Sequence, residues 1–539
     1  MGKKFNVALA LLLVASLALT ACGGVDQSQG GSSGKQVLNL TETQEPPGLD
    51  SSKTTDTVSF SVLNNVMEGL YRLDKNNEPV EGMAESVDIS KDKKTYTFKL
   101  RDAKWSDGEP VKAQDFEYSW KRALDPKTKS EYAYMLYPIK GAEAYNSKKG
   151  KADDVGVKAL DDKTLEVKLE QPIPYFLGLT AFATFNPLRQ DIVEEHGEKY
   201  ATEPDKMVYN GPFVLSEWNH NKDFQYKKND NYWDKKTVKL DEINVSIVKD
   251  MNQKMNLYST GKVDFTSLGE DYVDKYQGKP DVYQHNEATN FYLQFNTNNE
   301  FLDNAKIRKA ISMAIDRKTL TDKISKNGSV PAGALVPPAV QGPEGKSFRD
   351  LAGKEYIKHD PKEAKKLLEE GMKEAGIKKI PKLELLGYDS SGAKKDQEFI
   401  KEQLNKNLGI DVDLRPMSFD QKLKLESAGD FQISYAGWGA DYNDPMTFLD
   451  LWVTGGSFNR GDWSNKEYDK LIKKSKTNPD FDERIKDLVK AEELLMEEAA
   501  IAPLYYRSQL FLRQTYVKDL YTHPFGADFS YKWAHIEGK

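Results

Sequence analysis

The pattern of hydrophobic and polar positions changes between strand-like and helix-like several times along the chain. Apolar and polar residues alternate with a period of two at 95–100 and 164–169, which predicts half-buried strands, and a further strand is predicted at 37–40. An apolar face with helical spacing follows Asp303. A second helix is predicted after Asp360–Pro361, because an aspartate N-cap followed by proline begins helices.

The C-terminal half repeats this alternation of elements. Its sequence predicts a strand at 383–386, a helix at 396–408 and a strand at 410–414, followed by a helix at 481–499 and a strand at 502–506. Strand, helix and strand in this order favour parallel pairing. We therefore expect an α/β protein.

The N-terminus has the anatomy of a bacterial secretion signal. Lys3 and Lys4 precede the mostly apolar run from Phe5 to Ala18, and small residues lead to Cys22. This predicts a signal peptide at 1–21, because the apolar run is too short for a comfortable membrane span. A cysteine in this position resembles a lipobox, which predicts lipidation of Cys22. A lipid there would hold the chain at the membrane without spanning it.

Composition limits what the mature chain can be. Removing 21 of 539 residues leaves 518, which exceeds the size of a single hydrophobic core and predicts two or three lobes. Residues 22–35 are rich in Gly, Ser and Gln and are expected to form a flexible tether. Cys22 is the only cysteine, so disulfides and cysteine-based metal sites are excluded. Loss of two lysines takes the net charge from −7 to −9, which argues against nucleic acid as a partner.

Enzymatic and metal-binding signatures are absent or misplaced. The GxSxG match at 30–34 lies in the tether and not at a strand–turn–helix elbow. The sequence has no Walker A motif and no GxGxxG. Its six histidines have no metal-binding spacing. No pair among the 84 acidic residues stands out for glycoside hydrolysis. We therefore expect no catalytic residues, no bound metal and no cofactor.

Four segments carry a family resemblance. They are AKWSDGEPVKAQDF at 103–116, NGPF at 210–213, IRKA at 307–310 with AIDR at 314–317, and GWGADYNDP at 437–445. In this order and after a lipobox, the chain resembles the family 5 extracellular solute-binding proteins. The resemblance extends from about Val37 to Lys539 and is greatest to the oligopeptide-binding lipoproteins of Gram-positive peptide ABC permeases.

The resemblance implies a three-domain, class C periplasmic-binding-protein-like clamp in which two lobes close on the ligand. Domain I would comprise 36–67, 189–288 and 508–539. Domain II, at 68–188, would be a small extra domain without ligand duties, in which the segment at 103–116 is structural. Domain III, at 289–507, would close on an extended peptide.

The resemblance also implies the ligand-binding residues. Asp441 would form an ion pair with the α-ammonium group of the peptide. A carboxylate that is shielded from water is costly alone but is stabilised by such a cation. The backbone of 437–439 would form hydrogen bonds with the peptide, and Trp438 would also line a pocket for one of its side chains. The complete set of expected peptide-binding residues is Thr55, Thr57, Tyr132, Gln294, Gly437, Trp438, Gly439, Asp441, Tyr505 and Tyr506.

The chain departs from the family pattern where relatives receive the C-terminus of short peptides. Glu426 and Tyr435 replace arginines, and Ala393 replaces a histidine. A glutamate cannot receive a carboxylate. Our hypothesis is that the protein prefers longer peptides, or that a lysine not identified from the sequence anchors the carboxylate.

The expected function is that of a lipid-anchored, monomeric receptor on the outer face of the cell membrane. It would bind oligopeptides and deliver them to the permease subunits of an ABC importer. Two alternatives remain open at this point. The same fold could serve another solute, such as nickel, a haem-like ligand or an oligosaccharide, or the protein could be a surface lipoprotein without a transport role.

Overall fold

The computed structural model describes residues 34–173, 175–342, 346–478 and 480–539. The predicted signal peptide, Cys22 and the tether up to residue 33 lie outside the described residues. Residues Gln36–Lys539 form one compact unit with mixed α/β structure. The expected fold class is confirmed.

The strands of this unit are β1 (Val37–Glu42), β2 (Tyr71–Leu73), β3 (Pro79–Glu81), β4 (Ala84–Ile89), β5 (Thr95–Leu100), β6 (Val157–Asp161), β7 (Thr164–Lys168), β8 (Phe213–Asn219), β9 (Asp223–Lys228), β10 (Glu242–Ile247), β11 (Phe265–Ser267), β12 (Val282–Phe295), β13 (Val330–Pro331), β14 (Leu383–Tyr388), β15 (Val412–Met417), β16 (Ile433–Gly439), β17 (Ile501–Arg513), β18 (Val517–Lys518), β19 (Tyr521–Thr522), β20 (Phe529–Ser530) and β21 (His535–Ile536).

The α-helices are α1 (Thr57–Val66), α2 (Ala113–Leu124), α3 (Ala142–Asn146), α4 (Phe176–Leu179), α5 (Gln190–His196), α6 (Met251–Ser259), α7 (Val273–Tyr276), α8 (Ala305–Met313), α9 (Arg317–Thr319), α10 (Phe348–Ala352), α11 (Pro361–Glu374), α12 (Ser391–Leu408), α13 (Phe419–Ser427), α14 (Met446–Leu449), α15 (Lys466–Thr477) and α16 (Phe481–Glu497). None of the helices that the structure describes combines the length and the apolar character of a membrane span.

One large sheet runs through the unit. Its strands follow the order β15, β14, β16, β12, β17, β11, β1, β10, β9 and β8, and β13 pairs with β17 beside this path. The long antiparallel pair β12 and β17 lies in the middle and joins the two halves of the sheet. At one end β14 and β15 pair in parallel and are connected through α12, as the strand, helix and strand order predicted.

The predicted boundaries between domains I and III fall inside the two central strands. Positions 288/289 lie in β12 and 507/508 lie in β17. The register between these strands shifts between Asn286 and Asn290, which breaks the ladder at this point. The domain boundaries stay a prediction.

A second sheet, with the order β4, β5, β7 and β6, packs against α2. The segment at 103–116 lies at the start of this helix. Buried Trp105 donates its indole N–H to Asp115 at 3.0 Å, and the same carboxylate oxygen accepts the backbone N–H of Lys112 at 2.9 Å. These bonds fix the beginning of α2, because a helix start leaves backbone donors without intrahelical partners.

Helix α8 begins after its N-cap Asn304, whose side chain accepts two backbone N–H groups, in agreement with the helical pattern that follows Asp303. Element boundaries differ most from the sequence expectations at α12 and β17. Helix α12 begins at Ser391, five residues before the expected start. Strand β17 continues to Arg513, beyond the predicted end at 506, because it pairs with both β12 and β11.

Candidate functional site

A cavity of about 380 Å³ lies between the start of α1, the strands β12 and β16, and the start of α12. Its wall contains residues from two hydrophobic clusters. Nine of the ten residues that the sequence analysis expected at a peptide site line this cavity. They are Thr55, Thr57, Tyr132, Gln294, Gly437, Trp438, Gly439, Asp441 and Tyr505. Tyr506 does not line it, and its hydroxyl donates to the backbone oxygen of Ala334 at 3.1 Å.

The edge of β16 forms part of the cavity wall. This strand pairs with β12 from Ile433 to Gly439. On its other side, β14 pairs with Ile433 and Ser434 only. In the described structure, residues 435–439 therefore have a strand neighbour on one side. The backbone groups of such an edge can pair with an added strand.

Because Gly437 has no side chain, the ring of Phe291 can lie close to the edge of β16. A Cβ atom at Gly437 would lie 2.9 Å from two ring atoms of Phe291 in the neighbouring strand. That is too close for any other residue without movement of the ring. Glycine at this position therefore keeps the aromatic ring against the strand and the strand edge accessible.

Asp441 lies two residues after the end of this edge. Its carboxyl group has no cationic partner among the residues that the structure describes. The side chain is 7% exposed. Its Oδ1 accepts the Tyr132 hydroxyl at 3.0 Å, and its Oδ2 accepts the Thr447 hydroxyl at 3.4 Å. Burial raises the pKa of the Asp441 carboxyl to about 8, and the two hydroxyl donors offset this only in part. The carboxyl is therefore protonated at pH 7 until a cation arrives.

Aromatic rings surround Asp441. The Tyr132 and Trp438 rings are stacked with their centroids 6.1 Å apart, and Phe458 meets Trp438 edge-on at 4.6 Å. The Trp438 side chain is 9% exposed, and its indole N–H has no hydrogen-bond partner within the described structure. Buried indole N–H groups normally find an acceptor, so one is missing here.

The facing side of the cavity is the entry to α1. Thr55 and Thr57 are half-buried and flank Asp56, which caps the helix by accepting the Ser59 backbone N–H. The Thr57 methyl group lies 3.9 Å from the place that a Cβ atom on Gly439 would take. The two walls are therefore close together near the glycine edge.

Gln294 stabilises the cavity wall through hydrogen bonds to the backbone of a neighbouring loop. It is 3% exposed, and its amide oxygen accepts the backbone N–H groups of Arg460 and Gly461 at 3.2 and 3.3 Å once the amide is turned to face them. Its side chain therefore orients the loop that carries Arg460.

Glu426 belongs to a buried ion-pair network. Its carboxylate lies 2.5 Å from Lys422 and 3.0 Å from Arg460, and it accepts the Ser434 hydroxyl at 2.5 Å. Arg460 also pairs with Glu131 at 3.1 Å. Burial acts to raise the pKa of Glu426, but the Lys422 and Arg460 charges outweigh it and the pKa is lowered. Both cations are already matched by carboxylates, and no lysine is among the described residues of the cavity wall.

Tyr435 is the second position at which the family resemblance implied an arginine. Its hydroxyl donates to Asp396 at 2.7 Å, and the Tyr505 hydroxyl donates to the same oxygen at 3.0 Å. Burial raises the pKa of Asp396 to about 6 despite these donors. Ala393 lines the cavity nearby without a polar group. Glu426, Tyr435 and Ala393 therefore provide no unpaired basic side chain that could bind a peptide carboxylate.

Seven charged residues of the described cavity wall were not found by sequence reasoning, namely Glu42, Asp56, Glu270, Asp396, Arg460, Arg507 and Asp528. Glu42 ends β1, Arg507 lies in β17, and Asp528 directly precedes β20. Arg507 pairs with Glu287 at 2.5 Å. No motif marks Glu42, Arg507 and Asp528, because only the tertiary fold brings these distant parts of the chain to one cavity.

A second cavity of about 400 Å³ adjoins the first and shares Phe60 and Asp441 with it. Arg484 forms two hydrogen bonds to the Asp444 carboxylate in its wall, at 2.7 and 2.9 Å. Across the described ranges, no group of three or more His, Cys, Asp or Glu side chains is arranged to hold a metal ion.

Comparisons with known proteins agree with the resemblance seen in the sequence. The model of the bacterial extracellular solute-binding proteins, family 5, matches residues 78–460. The dipeptide-binding protein DppE of Bacillus subtilis is 41% identical over 540 residues, which cover 99% of this chain and 98% of the relative.

Two solved structures are similar over nearly their whole length. The substrate-binding domain of an oligopeptide ABC transporter from Bacillus anthracis is 47% identical with a TM-score of 0.90, covering 93% of this chain and 99% of that chain. OppA of Listeria monocytogenes bound to peptide is 43% identical with a TM-score of 0.90, covering 94% and 100%. The matched family is one of solute-binding proteins and not of enzymes. This chain belongs to the bacterial extracellular solute-binding proteins of family 5.

Proposed function

We propose that this protein is a lipid-anchored extracellular receptor that binds oligopeptides in extended form and delivers them to an ABC transporter for uptake. The proposal rests mainly on the buried Asp441 carboxyl, which has no counter-ion in the described part of the chain and follows the open edge of β16. An extended peptide offers what this corner lacks, namely an α-ammonium group and a backbone that can pair with the edge.

The α-ammonium would donate to Asp441 and hold its carboxylate in the ionised form. Hydrogen bonds to charged groups contribute about 1.5–3 kcal/mol, so this contact would fix the register of the peptide. The peptide backbone would pair with residues 437–439, which is possible for any sequence. Side chains would then occupy hydrated pockets in which water adapts to their shape.

The names of relatives support peptides as the solute. The B. subtilis relative is a dipeptide-binding protein, and the L. monocytogenes structure contains a bound peptide. These names differ in the length of peptide that they imply. The length of peptide that this protein prefers must therefore be inferred from the residues of its own cavity.

Among the described residues of the cavity wall, no unpaired basic side chain is available to bind the C-terminal carboxylate of a peptide. Arg460 and Arg507, the cations of the described wall, are both paired with glutamates. We therefore infer that longer peptides are preferred over tripeptides, whose C-terminus would lie inside the cavity. Calorimetry with a series from three to six residues tests this, and tighter binding of tripeptides would contradict it.

The clamp would close by bending at the central strands. Domain I (36–67, 189–288 and 508–539) and domain III (289–507) would move about the register shift in β12 and β17. Domain II (68–188) would stay with domain I. Tyr132, in the proposed domain II, and Asp441, in domain III, are already in hydrogen-bond contact.

Lipidation of Cys22 and a tether at 22–35 would keep the receptor near the permease subunits, and we propose that it acts as a monomer. Cys22→Ser should release the protein into the medium and abolish labelling with a palmitate analogue. Persistence of membrane-bound, labelled protein in this variant would refute the anchor. Light scattering of the purified mature chain would test the monomeric state.

The central test compares peptides with free and acetylated N-termini. A hexaalanine peptide should bind the wild-type protein in calorimetry, and N-acetylation should weaken binding by about tenfold to a hundredfold because the ammonium is lost. Native mass spectrometry of protein from rich medium should also find co-purifying peptides. Equal affinity for both forms would show that Asp441 does not receive the N-terminus, and no peptide binding at all would refute the function.

A further inference from the structure

The charges of the cavity wall do not balance. Its described residues include two cations, Arg460 and Arg507, and seven carboxylates, namely Glu42, Asp56, Glu270, Asp396, Glu426, Asp441 and Asp528. If all were ionised, the wall would carry a net charge of −5. Glu42, Glu270 and Asp528 are half-buried and the other carboxylates are buried, so this excess is costly wherever water is excluded from the wall.

Several of these carboxylates have partners within the protein. Glu270 pairs with Lys395 at 2.6 Å, Glu426 pairs with Lys422 and Arg460, and Asp56 caps α1. Asp396 accepts two tyrosine hydroxyls. The proposed function assigns Asp441 to the peptide ammonium. Glu42 and Asp528 are left without an ion-pair partner among the described residues.

Glu42 and Asp528 both line the cavity, and the charge of Glu42 acts on the Asp528 carboxyl. Burial and the charge of Glu287 raise the pKa of Asp528, and the charge of Glu42 raises it further. The charge of Arg507 acts to lower the pKa of Asp528, but Arg507 forms its ion pair with Glu287. These four groups together leave two carboxylates in excess of cations.

The charge of Lys254 acts on Glu42, but among the described residues the two side chains form no direct ion pair. Lys254 Nζ donates to the hydroxyls of Thr43 and Ser267, at 2.8 and 3.0 Å, and forms no ion pair with Glu42. Burial raises the pKa of Glu42 to about 7, although the Lys254 charge acts to lower it. Burial also lowers the pKa of Lys254 to about 8. Glu42 therefore still faces the cavity as an acceptor.

We propose that the cavity selects peptides with a basic side chain and that Glu42 and Asp528 receive its ammonium or guanidinium group. This rests on the proposed function, since it takes the same cavity to hold the peptide. The unpartnered indole N–H of Trp438 in the same wall calls for an acceptor from a ligand, such as a carbonyl oxygen of the peptide that would carry the basic side chain. A lysine or arginine side chain would supply the positive charge that the wall lacks.

A positional scan tests the preference. Hexaalanine peptides with a free N-terminus would carry a single lysine at each of positions 2 to 6, and matched peptides would carry norleucine, which has a similar apolar stem and no charge. At one position, lysine should bind the wild-type protein about tenfold to a hundredfold more tightly than norleucine. Glutamate at that position should bind less tightly than glutamine.

Two variants assign the effect to this part of the wall. In Asp528→Asn and in Glu42→Gln, the ratio of lysine to norleucine affinity should fall towards one. The control Asp413→Asn changes charge by the same amount at an edge-strand side chain that is 61% exposed, and it should keep the wild-type ratio. Thermal unfolding of each variant verifies that it is folded.

The outcomes separate the two proposals. Binding of hexaalanine without a lysine preference at any position would overturn the selection of basic peptides and leave the peptide-receptor function standing. A lysine preference that persists in the Glu42→Gln, Asp528→Asn double variant would overturn the assignment to these residues. If no peptide in the series bound the wild-type protein, both proposals would fail.

Discussion

Asp441→Asn should stabilise the ligand-free protein at neutral pH while weakening peptide binding. The pKa of the Asp441 carboxyl is about 8 in the folded protein, against 3.8 for an exposed aspartate. Between these values, the folded chain holds a proton that the unfolded chain has released. The free energy of unfolding of the wild-type protein therefore falls as the pH rises from 4 to 8. At about 1.4 kcal/mol for each pH unit, the loss at pH 7 is about 4 kcal/mol.

Asparagine removes this loss because it does not titrate. Its free energy of unfolding should exceed the wild-type value by up to about 4 kcal/mol at pH 7, and the two should converge near pH 4. Denaturant unfolding after removal of bound ligand measures both. The control is Asp444→Asn, which leaves Arg484 buried without its carboxylate and should destabilise at both pH values. Equal destabilisation by both variants at pH 7 would refute the reasoning.

The same proton makes peptide binding depend on pH. At pH 6 about 1% of the Asp441 carboxyl is ionised in the free protein, and at pH 7 about 10%. Affinity for a free N-terminus should therefore rise about tenfold between these values and reach its maximum near pH 8, above which the peptide ammonium is lost. The other titratable groups facing Asp441 are Tyr132 and Tyr134, and their raised pKa values keep them neutral in this range.

Calorimetry in two buffers with different ionisation enthalpies counts the protons released. At pH 7, the wild-type protein should release close to one proton more than Asp441→Asn does when hexaalanine binds. The difference between the variants isolates Asp441 from Glu42 and Asp528, which also titrate near neutrality. An identical proton count and pH dependence in both proteins would exclude Asp441 as the group that receives the ammonium.

Three further outcomes are expected. Gly437→Ala should weaken hexapeptide binding in calorimetry by about tenfold, as its Cβ would displace the Phe291 ring, whereas Gly48→Ala has open space and should not. Equal effects would contradict this role of Gly437. Arg484→Met should lower the free energy of unfolding by about 3–5 kcal/mol and the exposed-pair control Arg415→Met by less than about 1 kcal/mol, measured by denaturation. A hexapeptide amide should bind within about threefold of the free acid, and a larger loss would reveal a carboxylate-binding group.

The regular elements could be predicted from local sequence because local periodicity carries most of their signal. The alternating strands and the helix after Asp360 are found where the pattern placed them. The pattern failed where tertiary pairing decides. Strand β17 extends seven residues beyond its apolar core sequence because β12 and β11 provide partners along it. Such pairing between distant segments has no local signal.

The same division applies to the cavity. Trp438 and Asp441 belong to one short motif, so a resemblance could locate them. Glu42 and Asp528 are separated by most of the chain, and each is an ordinary acidic residue in its local context. Arg460 was also missed, although it explains why Glu426 is tolerated in a buried position. A sequence can place a motif, but the charge balance of a cavity depends on residues that only the fold brings together.

The uncompensated carboxyls connect stability with ligand choice. Evolution towards stability alone would favour Asn at 441, because the neutral side chain would keep a hydrogen bond from Tyr132 without the cost of a buried ionisable group. Retention of a carboxyl there has a physical reason if a cation arrives from outside the chain. The same argument extends to Glu42 and Asp528. Each of these carboxyl groups lowers the free energy of unfolding of the ligand-free protein and raises its affinity for a cationic ligand. The protein therefore gives up stability without ligand in exchange for selectivity towards cationic ligands.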